Sequence, residues 1–414
     1  MTAQTPVVFF CPGKFSFGEL QNAITMARQL PAELPAEFLV SEQYLALVQG
    51  SGMSARAIPY GPGGEEAVLA LLTGLQPAGV VVADHHLFAL ERGNLPIEKL
   101  LSAGAPVVAL DSLCLGPGPS TMRMGLSQRP ETKPIHRWFP AEAEVPAVPD
   151  GVSLMRPVPV AGLGRPADSF DLYGESLKPH RTRDEIFSRL GISTDRSLVV
   201  AARSNWATSA YGLLGRLSKD ADSGTYQTLG NQWWVEMFRL ARRPITVLEL
   251  TSGTSITTWS DDVELRRRRY EPIDEFVDIL AAADLYITDN LTSGAMAKAA
   301  ALGTAAVALV NERNERSTDP FSEKWLASME SYFPGFDMDF LVNPFGWTEE
   351  LAPLLAKNEY LAALPKAEMF NLDSCAAAIQ EHLGVESGPV TQALRHQVAG
   401  LPRASALLRE RLNV

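Results

Sequence analysis

Cysteine is scarce in this chain of 414 residues: there are only three, Cys11, Cys114 and Cys375, and they lie far apart. Zinc sites and redox couples use cysteines in closely spaced pairs, and none of the three has a near neighbour of its own kind. A His-x-x-x-His spacing is absent as well. The sequence therefore predicts reduced thiols and no bound metal.

Long apolar runs are also missing. The longest one, residues 299–310, is interrupted by Gly303 and is far shorter than the about 20 residues that cross a bilayer as a helix. Residues 1–6 carry no basic group, and the apolar run at residues 7–11 is too short for the core of a signal peptide. We therefore expect a cytoplasmic protein without a membrane span.

Positive charge is in deficit, with 36 Lys and Arg against 48 Asp and Glu and a formal net charge of -12 at pH 7. Proteins that bind nucleic acid need a basic surface to neutralise phosphates, and proteins that dock on anionic lipid need clustered lysines and arginines. The balance argues against both partners. A small or neutral substrate is the expectation.

Three common nucleotide and hydrolase motifs do not occur. There is no Gly-x-Gly-x-x-Gly after the first predicted strand, no Gly-x-x-x-x-Gly-Lys-Ser/Thr loop and no Gly-x-Ser-x-Gly elbow. Their absence argues against nicotinamide or flavin dehydrogenases, P-loop nucleotidases and serine hydrolases of the α/β type.

The length predicts two domains, because single hydrophobic cores stop growing well below 414 residues. In the amino half, the strands predicted at residues 79–83 and 106–110 are apolar at nearly every position. Such strands are buried on both faces, which is typical of a parallel sheet covered by helices. We place the first domain at residues 1–165 and include in it a proline-rich excursion from about residue 115, in which short strands are expected.

A second α/β domain is predicted at residues 182–370. Thr182 and Glu185 form a capping-box pattern that opens a helix. Apolar strands and helices then alternate, which indicates a second parallel sheet. The remaining residues, 371–414, are mainly helical in pattern, and we expect them to cross back to the first domain. The predicted strands are 197–202, 244–250, 285–288 and 304–310, and the predicted helices are 233–243, 273–282 and 293–302.

The most informative segment is residues 283–309, which predicts a strand, a tight polar loop, a helix of small residues and another strand. At Ser293 and Gly294 the start of the helix exposes backbone N–H groups, and the helix dipole favours an anion there. The alternative is a plain crossover turn, which needs serine or glycine for its geometry alone.

This segment, with Tyr270-Glu-Pro-Ile-Asp-Glu-Phe276 before it, resembles the carboxyl-terminal domain of GT-B nucleotide-sugar glycosyltransferases. In that family a Tyr-x-Pro turn covers the nucleotide base, and a polar loop ending in Ser-Gly or Ser-Thr holds the diphosphate. The resemblance covers about residues 198–310 and extends to the amino half in layout only. It implies an α/β fold with two Rossmann-like parallel-sheet domains that face each other across a cleft.

The polar residues at the predicted strand ends of the second domain face the same cleft, because ligands of such sheets bind at the carboxyl edge. Arg203 is a candidate phosphate ligand through its guanidinium group, or a surface residue that caps a loop. With the resemblance, the candidate donor-binding residues are Arg203, Ser204, Thr251, Ser252, Gly253, Tyr270, Asp289, Asn290, Thr292, Ser293, Gly294 and Lys298.

Two positions depart from the family. Lys298 stands where many members carry a glutamate that binds the ribose, and Asn290 stands where retaining members carry another glutamate. The absence of both carboxylates argues against the retaining subclass. Lys298 either binds a phosphate or carboxylate of the ligand or pairs with a neighbouring acid such as Asp289.

Candidates for a catalytic base lie in the amino half. Asp84, His85 and His86 follow a buried strand, and a histidine or carboxylate near an acceptor hydroxyl can take its proton. Glu19 is a further candidate beside the loop after the first strand, and Asp111 is another at a strand end. A histidine packed in the core, or a glutamate that only stabilises a helix start, is the alternative in each case.

The sequence therefore predicts an inverting, metal-independent glycosyltransferase. It would move a sugar from a nucleoside-diphosphate sugar, its co-substrate, to a small-molecule or peptide acceptor, with no further cofactor. The alternatives are a protein of this fold that binds a ligand or partner without transferring sugar, and a nucleotide-sugar epimerase or hydrolase. Lys298 and Asn290 keep the first alternative open.

Overall fold

The computed structural model describes residues 5–13, 17–59, 63–83, 85, 95–112, 116–123, 142–159, 166–174, 177–203, 223–251, 256–260, 262–310, 319–332 and 358–414. These residues form two seven-stranded sheets, a two-stranded sheet and the helices that cover them. None of the helices in these ranges combines the length and apolarity that crossing a bilayer would require.

The first sheet is parallel throughout, with the strand order β3-β2-β1-β4-β5-β8-β9. Its order reverses between β1 and β4, which is the switch point of a doubly wound sheet. A separate antiparallel pair, β6 and β7, lies between β5 and β8 in the chain. The strands are β1 (Val7–Cys11), β2 (Ala36–Ser41), β3 (Ser54–Ile58), β4 (Gly79–Val82), β5 (Val107–Leu110), β6 (Ser120–Arg123), β7 (Glu142–Val145), β8 (Val152–Val158) and β9 (Ser169–Asp171).

The second sheet has the order β12-β13-β11-β10-β14-β15-β16 and switches direction between β10 and β14. Its pairs are parallel except for β12, which runs antiparallel to β13. The strands are β10 (Ser197–Ala202), β11 (Ile245–Thr251), β12 (Ile256–Ser260), β13 (Val263–Arg269), β14 (Leu285–Thr288), β15 (Ala306–Val310) and β16 (Lys366–Glu368).

Helices follow most of the strands, as parallel connections require. They are α1 (Phe17–Ala27), α2 (Glu42–Gly50), α3 (Gly64–Leu75), α4 (Ile97–Leu101), α5 (Arg183–Leu190), α6 (Ser223–Arg239), α7 (Ile273–Ala282), α8 (Gly294–Leu302), α9 (Pro320–Tyr332), α10 (Glu359–Ala363), α11 (Leu372–His382), α12 (Gly388–Val398) and α13 (Ala404–Leu412).

The predicted architecture of two Rossmann-like parallel sheets is confirmed. So is the capping box of α5, in which the Thr182 N–H donates to Glu185 Oε2 at 2.7 Å and the Glu185 N–H donates to Thr182 Oγ1 at 3.4 Å. Helix α2 and strand β3 were not predicted, because residues 54–58 alternate between half-exposed and exposed positions at the edge of the sheet. The domain boundaries at residues 165, 182 and 370 remain predictions.

Part of the proline-rich segment belongs to the first sheet. Strand β8 pairs with β5 and buries Arg156 in its middle, where the guanidinium Nε donates to Asp111 Oδ2 at 2.9 Å. A buried arginine flanked by proline does not read as a core strand, which is why the strand was missed. Asp111 also accepts from the Gly116 N–H at 3.0 Å, so this candidate base is a fully buried partner of Arg156.

The two sheets share one apolar core. A continuous cluster of buried side chains takes in α1 and one face of the first sheet, together with α7, α8 and one face of the second. Two smaller clusters cover the outer faces, one on each sheet. Polar groups connect the halves as well, since Arg28, directly after α1, is bound to Asp274 of α7. Helices α1 and α8 also contact each other.

The last helix, α13, lies on the first sheet although the helix before it packs against α8 and α10. The Asp171 N–H donates to Pro402 O at 2.9 Å, and Arg411 binds Asp168 at 3.1 Å. Gly79 of β4 lies directly under Leu412, whose side chain would have to move to make room for a β-carbon at this position.

Candidate functional site

The switch points of the two sheets bring the predicted loops to the edges where ligands of doubly wound sheets bind. In the first sheet, Pro12 and Gly13 follow β1 and Ala83 ends the turn after β4. In the second, Arg203 follows β10 and Asp289 follows β14. The sequence placed its candidates at these positions because a polar residue after an apolar strand marks such an edge.

The loop before α8 is held by its own side chains. Asn290 Oδ1 accepts from both the N–H and the hydroxyl of Thr292, each at 3.0 Å. Ser293 is the N-cap, with its Oγ 3.4 Å from the Met296 N–H and 3.2 Å from the Tyr286 hydroxyl. Among the described residues, no group accepts from the N–H groups of Gly294 and Ala295, which remain available to a ligand.

Residues of the first half cover this helix start. The Tyr173 hydroxyl donates to Gly294 O at 2.9 Å. Asn22 Oδ1, from α1, lies 3.3 Å from the position that a β-carbon of residue 294 would take. A side chain at residue 294 would therefore touch Asn22, which would have to move slightly to make room. Side chains of both halves therefore meet at the beginning of α8.

Lys298 is buried beside the same helix start, with an exposed fraction of 2%. Its Nζ lies 5.1 Å from the centroid of the Tyr173 ring and 3.9 Å from the β-carbon position of residue 294. No carboxylate of the described residues comes within ion-pair distance of it, so the expected pairing with Asp289 is not formed. Burial lowers the pKa of Lys298 to about 8, and the negative charge of Glu19 opposes that effect.

Arg203 belongs to a polar cluster with Arg267, Glu249 and Asn231. Its Nε donates to Glu249 Oε1 at 2.5 Å, while Arg267 Nε donates to Glu249 Oε2 at 2.6 Å. Both guanidinium groups also bind Asn231, and Arg203 lies over the Trp234 ring. Burial alone would raise the pKa of Glu249, but the two arginines outweigh it and the pKa is lowered.

Three of the predicted donor residues lie outside the described residues: Ser204, Ser252 and Gly253. Thr251 is described only in its backbone, as the last residue of β11. Their roles in ligand binding stay predictions.

Tyr270 stacks on a side chain of the same protein. Its ring lies 4.0 Å from the ring of Phe17, centroid to centroid, with 16° between the planes. Phe17 is the first residue of α1, so this stack joins the two halves. The face of Tyr270 that meets Phe17 is not available to a nucleotide base in this arrangement.

His85 does not face α8. It is almost fully buried, and its Nε2 lies 3.4 Å from Pro146 O, next to β7. Burial lowers its pKa, with smaller opposing effects from the Pro146 carbonyl, Asp111 and Glu98. Asp84 and His86 lie outside the described residues, so their roles stay predictions.

Glu19, in contrast, influences Lys298 through its charge. It lies in the first turn of α1, and its carboxylate influences both Lys298 and Cys11. Burial first, and then the Glu19 carboxylate, raise the pKa of the Cys11 thiol. Of the described candidate bases, Glu19 is the one whose charge reaches the beginning of α8.

Asn22, Tyr173 and Tyr286 were missed by the sequence analysis. One signal was present in the sequence: Gln21, Asn22 and Thr25 stand among the apolar residues of α1. In the structure the helix is buried on all sides from Leu20 to Ala27, so these polar groups are buried as well. Tyr173 gave no such signal, since it follows a short strand in the proline-rich segment. The described residues contain no group of three His, Cys, Asp or Glu placed to hold a metal ion.

The fold and site together define an α/β protein of two doubly wound halves that meet at the beginning of α8. The chain belongs to a family of unknown function, DUF6365, whose profile matches residues 26–410. No curated protein matches it in sequence.

Several solved structures of glycosyltransferases are similar to the chain. SnogD from Streptomyces nogalater has 13% identical residues and a TM-score of 0.48, over 99% of both chains. MurG of Acinetobacter baumannii has 11% and 0.45, again over 99% of both. SsfS6 from Streptomyces sp. SF2575, complexed with thymidine diphosphate, has 12% and 0.48, over 99% of this chain and 100% of that one. Identities this low leave substrate and activity open.

Proposed function

We propose that this protein is an inverting glycosyltransferase that uses a nucleoside-diphosphate sugar and needs no metal ion. The observation that supports the proposal is the beginning of α8. Two backbone N–H groups there, at Gly294 and Ala295, have no acceptor among the described residues, and a buried lysine lies beside them. Helix starts of this kind favour phosphate groups through their donors and their dipole.

The diphosphate would bind with one phosphoryl group at these N–H groups. As the bond to the sugar breaks, negative charge develops on the leaving diphosphate. Preorganised donors in a site closed to water stabilise such charge more than water does. Arg203 would bind the donor only through nitrogen atoms that Glu249 and Asn231 do not occupy. A base would stack on the face of Tyr270 that Phe17 does not cover, or on the other face after Phe17 moves away.

Glu19 is our first choice for the base. In an inverting reaction the base removes the proton of an acceptor hydroxyl, and the oxygen attacks the anomeric carbon from the face opposite the leaving group. The bond to the diphosphate breaks in the same step. A base contributes about two to four decades of rate. Asp84 and His86 are the alternatives, whereas His85 is directed towards β7.

The acceptor is a small molecule or peptide, and we place the reaction in the cytoplasm. Cys11 and Cys375 are free and buried, which suits a reducing compartment. A peptide or small molecule would reach the helix start from the amino half, where Glu19 and Asn22 lie on α1.

A panel of nucleoside diphosphates and nucleotide sugars tests the proposal through ligand-induced thermal stabilisation, followed by product analysis with and without acceptors. Gly294→Asp should abolish stabilisation, because the new carboxylate meets the phosphate at the same donors. Gly388→Asp is the matched control, since Gly388 also opens a helix and has open space around its β-carbon position. Equal stabilisation of both variants and the wild type would refute the site.

A second candidate is a ligand-binding protein that transfers no sugar, and the stack of Phe17 on Tyr270 favours it. Product analysis separates the candidates. Transfer to an acceptor supports the enzyme, while binding without any product supports the second candidate. Release of free sugar or of an epimer without acceptor would indicate a hydrolase or an epimerase.

A further inference from the structure

The side chain of Lys298 extends back along α8, so its ammonium group lies beside the first turn of the helix. Side chains on a helix tilt towards its amino terminus, so a residue four positions into the helix reaches the level of the first one. Here Lys298 Nζ lies 3.9 Å from the β-carbon position of residue 294, next to the N–H groups of Gly294 and Ala295. One small space therefore holds two backbone donors and a cation.

Two other buried polar groups in this region have no hydrogen-bond partner within the described part of the chain. These are Asn22 Oδ1, which approaches Gly294, and the hydroxyl of Tyr360. Burial first, and then Tyr173 and Tyr286, raise the pKa of Tyr360, so it belongs to the same group of tyrosines. Buried polar groups in native proteins are nearly always bonded to protein or to something bound there. A 180° turn of the Asn22 amide would present its Nδ2 as a further donor.

The charges around Lys298 come from few residues. Glu19 of α1 supplies a negative charge. The nearby tyrosines are neutral, because a tyrosine ordinarily ionises only at about pH 10 and burial raises the pKa of Tyr173 and of Tyr286 further. The contact of Lys298 with the Tyr173 ring is a cation–π contact, which is weaker than a bond to an anion. Lys298 is thus a buried cation whose strongest kind of partner is missing among the described residues.

We propose that Lys298 is an anion-binding residue, which binds a phosphate or carboxylate group of the ligand together with the N–H groups of Gly294 and Ala295, and which binds it only while the lysine carries its proton. The proposal rests on the proposed function for the position of the ligand but does not need sugar transfer. It makes ligands with an acidic group the preferred class, in place of those that offer only hydroxyls.

Binding of inorganic pyrophosphate to Lys298→Met, measured by calorimetry at pH 7, tests the proposal. Methionine keeps most of the volume and removes the charge. We expect affinity to fall about tenfold or more, the effect of losing one hydrogen bond to a charged group. Lys99→Met is the matched control, because Lys99 lies on the surface in an ion pair with Glu65. Wild-type affinity in Lys298→Met would overturn the proposal.

The unmodified protein gives a second measurement. Sulfate keeps its charge between pH 7 and pH 9, while a lysine with a pKa of about 8 loses most of its protons. Sulfate should therefore bind about ten times more weakly at pH 9 than at pH 7, whereas equal affinities would overturn the proposal. Replacing sulfate by malonate tests whether the site prefers a carboxylate. Tighter binding of malonate favours a carboxylate ligand, and tighter binding of sulfate and pyrophosphate favours a phosphate.

The two proposals can fail separately. Sugar transfer that Lys298→Met leaves unchanged, with pyrophosphate affinity also unchanged, would refute the role of Lys298 and leave the transferase standing. Pyrophosphate binding that depends on Lys298, in a protein that forms no product from any nucleotide sugar, would refute the transferase and support the anion site.

Discussion

Two cationic side chains, Arg156 and Lys298, are almost fully buried in this protein, but the groups beside them differ. Arg156, in the first half, is bound to Asp111 at 2.9 Å, and neither group reaches the solvent. Lys298, in the second half, is 2% exposed and has a tyrosine ring instead of a carboxylate beside it. A buried charge destabilises the fold unless a partner offsets its desolvation. The paired cation therefore serves structure, and the other retains a charge that a ligand can use.

The largest expected effect concerns the paired cation. Asp111→Asn removes the charge and leaves Arg156 buried without a counter-ion, so the free energy of unfolding should fall by about 3 to 5 kcal/mol. Urea unfolding measures it. The control is Glu65→Gln on the surface pair with Lys99, which should change stability by less than about 1 kcal/mol. If the free energy of unfolding fell by a similar small amount in both variants, the buried ion pair of Arg156 would contribute no more to stability than a surface pair.

A smaller effect is expected in the cluster of Arg203, Arg267 and Glu249, because both guanidinium groups keep some contact with solvent. Glu249→Gln should lower the free energy of unfolding by about 2 kcal/mol at pH 7. The lowered pKa of Glu249 stabilises the fold above the usual range of a glutamate, and this contribution is lost as the pH falls through the lowered value. The difference between variant and wild type should therefore shrink at acid pH. A difference that is constant from pH 7 to pH 3 would contradict it.

The third effect concerns Lys298 itself and is spread over a range of pH. Its folded pKa of about 8 lies below the usual value of 10.5, so between these values the unfolded chain binds more protons than the folded one. Stability should then rise with pH across this window, by up to about 1.4 kcal/mol per unit. Subtracting the curve of Lys298→Met from that of the wild type isolates this contribution. A flat difference from pH 8 to pH 10 would mean that the lysine is not destabilised by burial.

The sequence was sufficient for the elements that local chemistry decides. Helix α7 was predicted with its observed bounds, because an apolar face begins directly after Pro272. The beginning of α8 was found because Ser293 is a good N-cap and Gly303, with its positive φ, ends the helix. Such signals act within one turn of chain, so they can be read without the tertiary structure.

The contacts that complete the site could not be read in this way. Tyr173 meets Gly294 across 121 residues of chain, and Arg203 meets Glu249 across 46. Nothing in the local pattern of Tyr173 indicates its partner. The same holds for Phe17 and Tyr270, whose stack depends on how the two halves pack. Partners chosen by tertiary packing are therefore what the structure added to the prediction.

The return of α13 to the first sheet has a consequence for how the protein is made. Arg411 meets Asp168 across 243 residues of chain. A ribosome adds about 5 to 20 residues per second, so this gap takes on the order of 10 to 50 s to synthesise. During that interval the part of the first sheet that Leu412 will cover, beside Gly79, has no helix over it. We therefore expect the first half to reach its final packing only after the last residues of α13 have been synthesised.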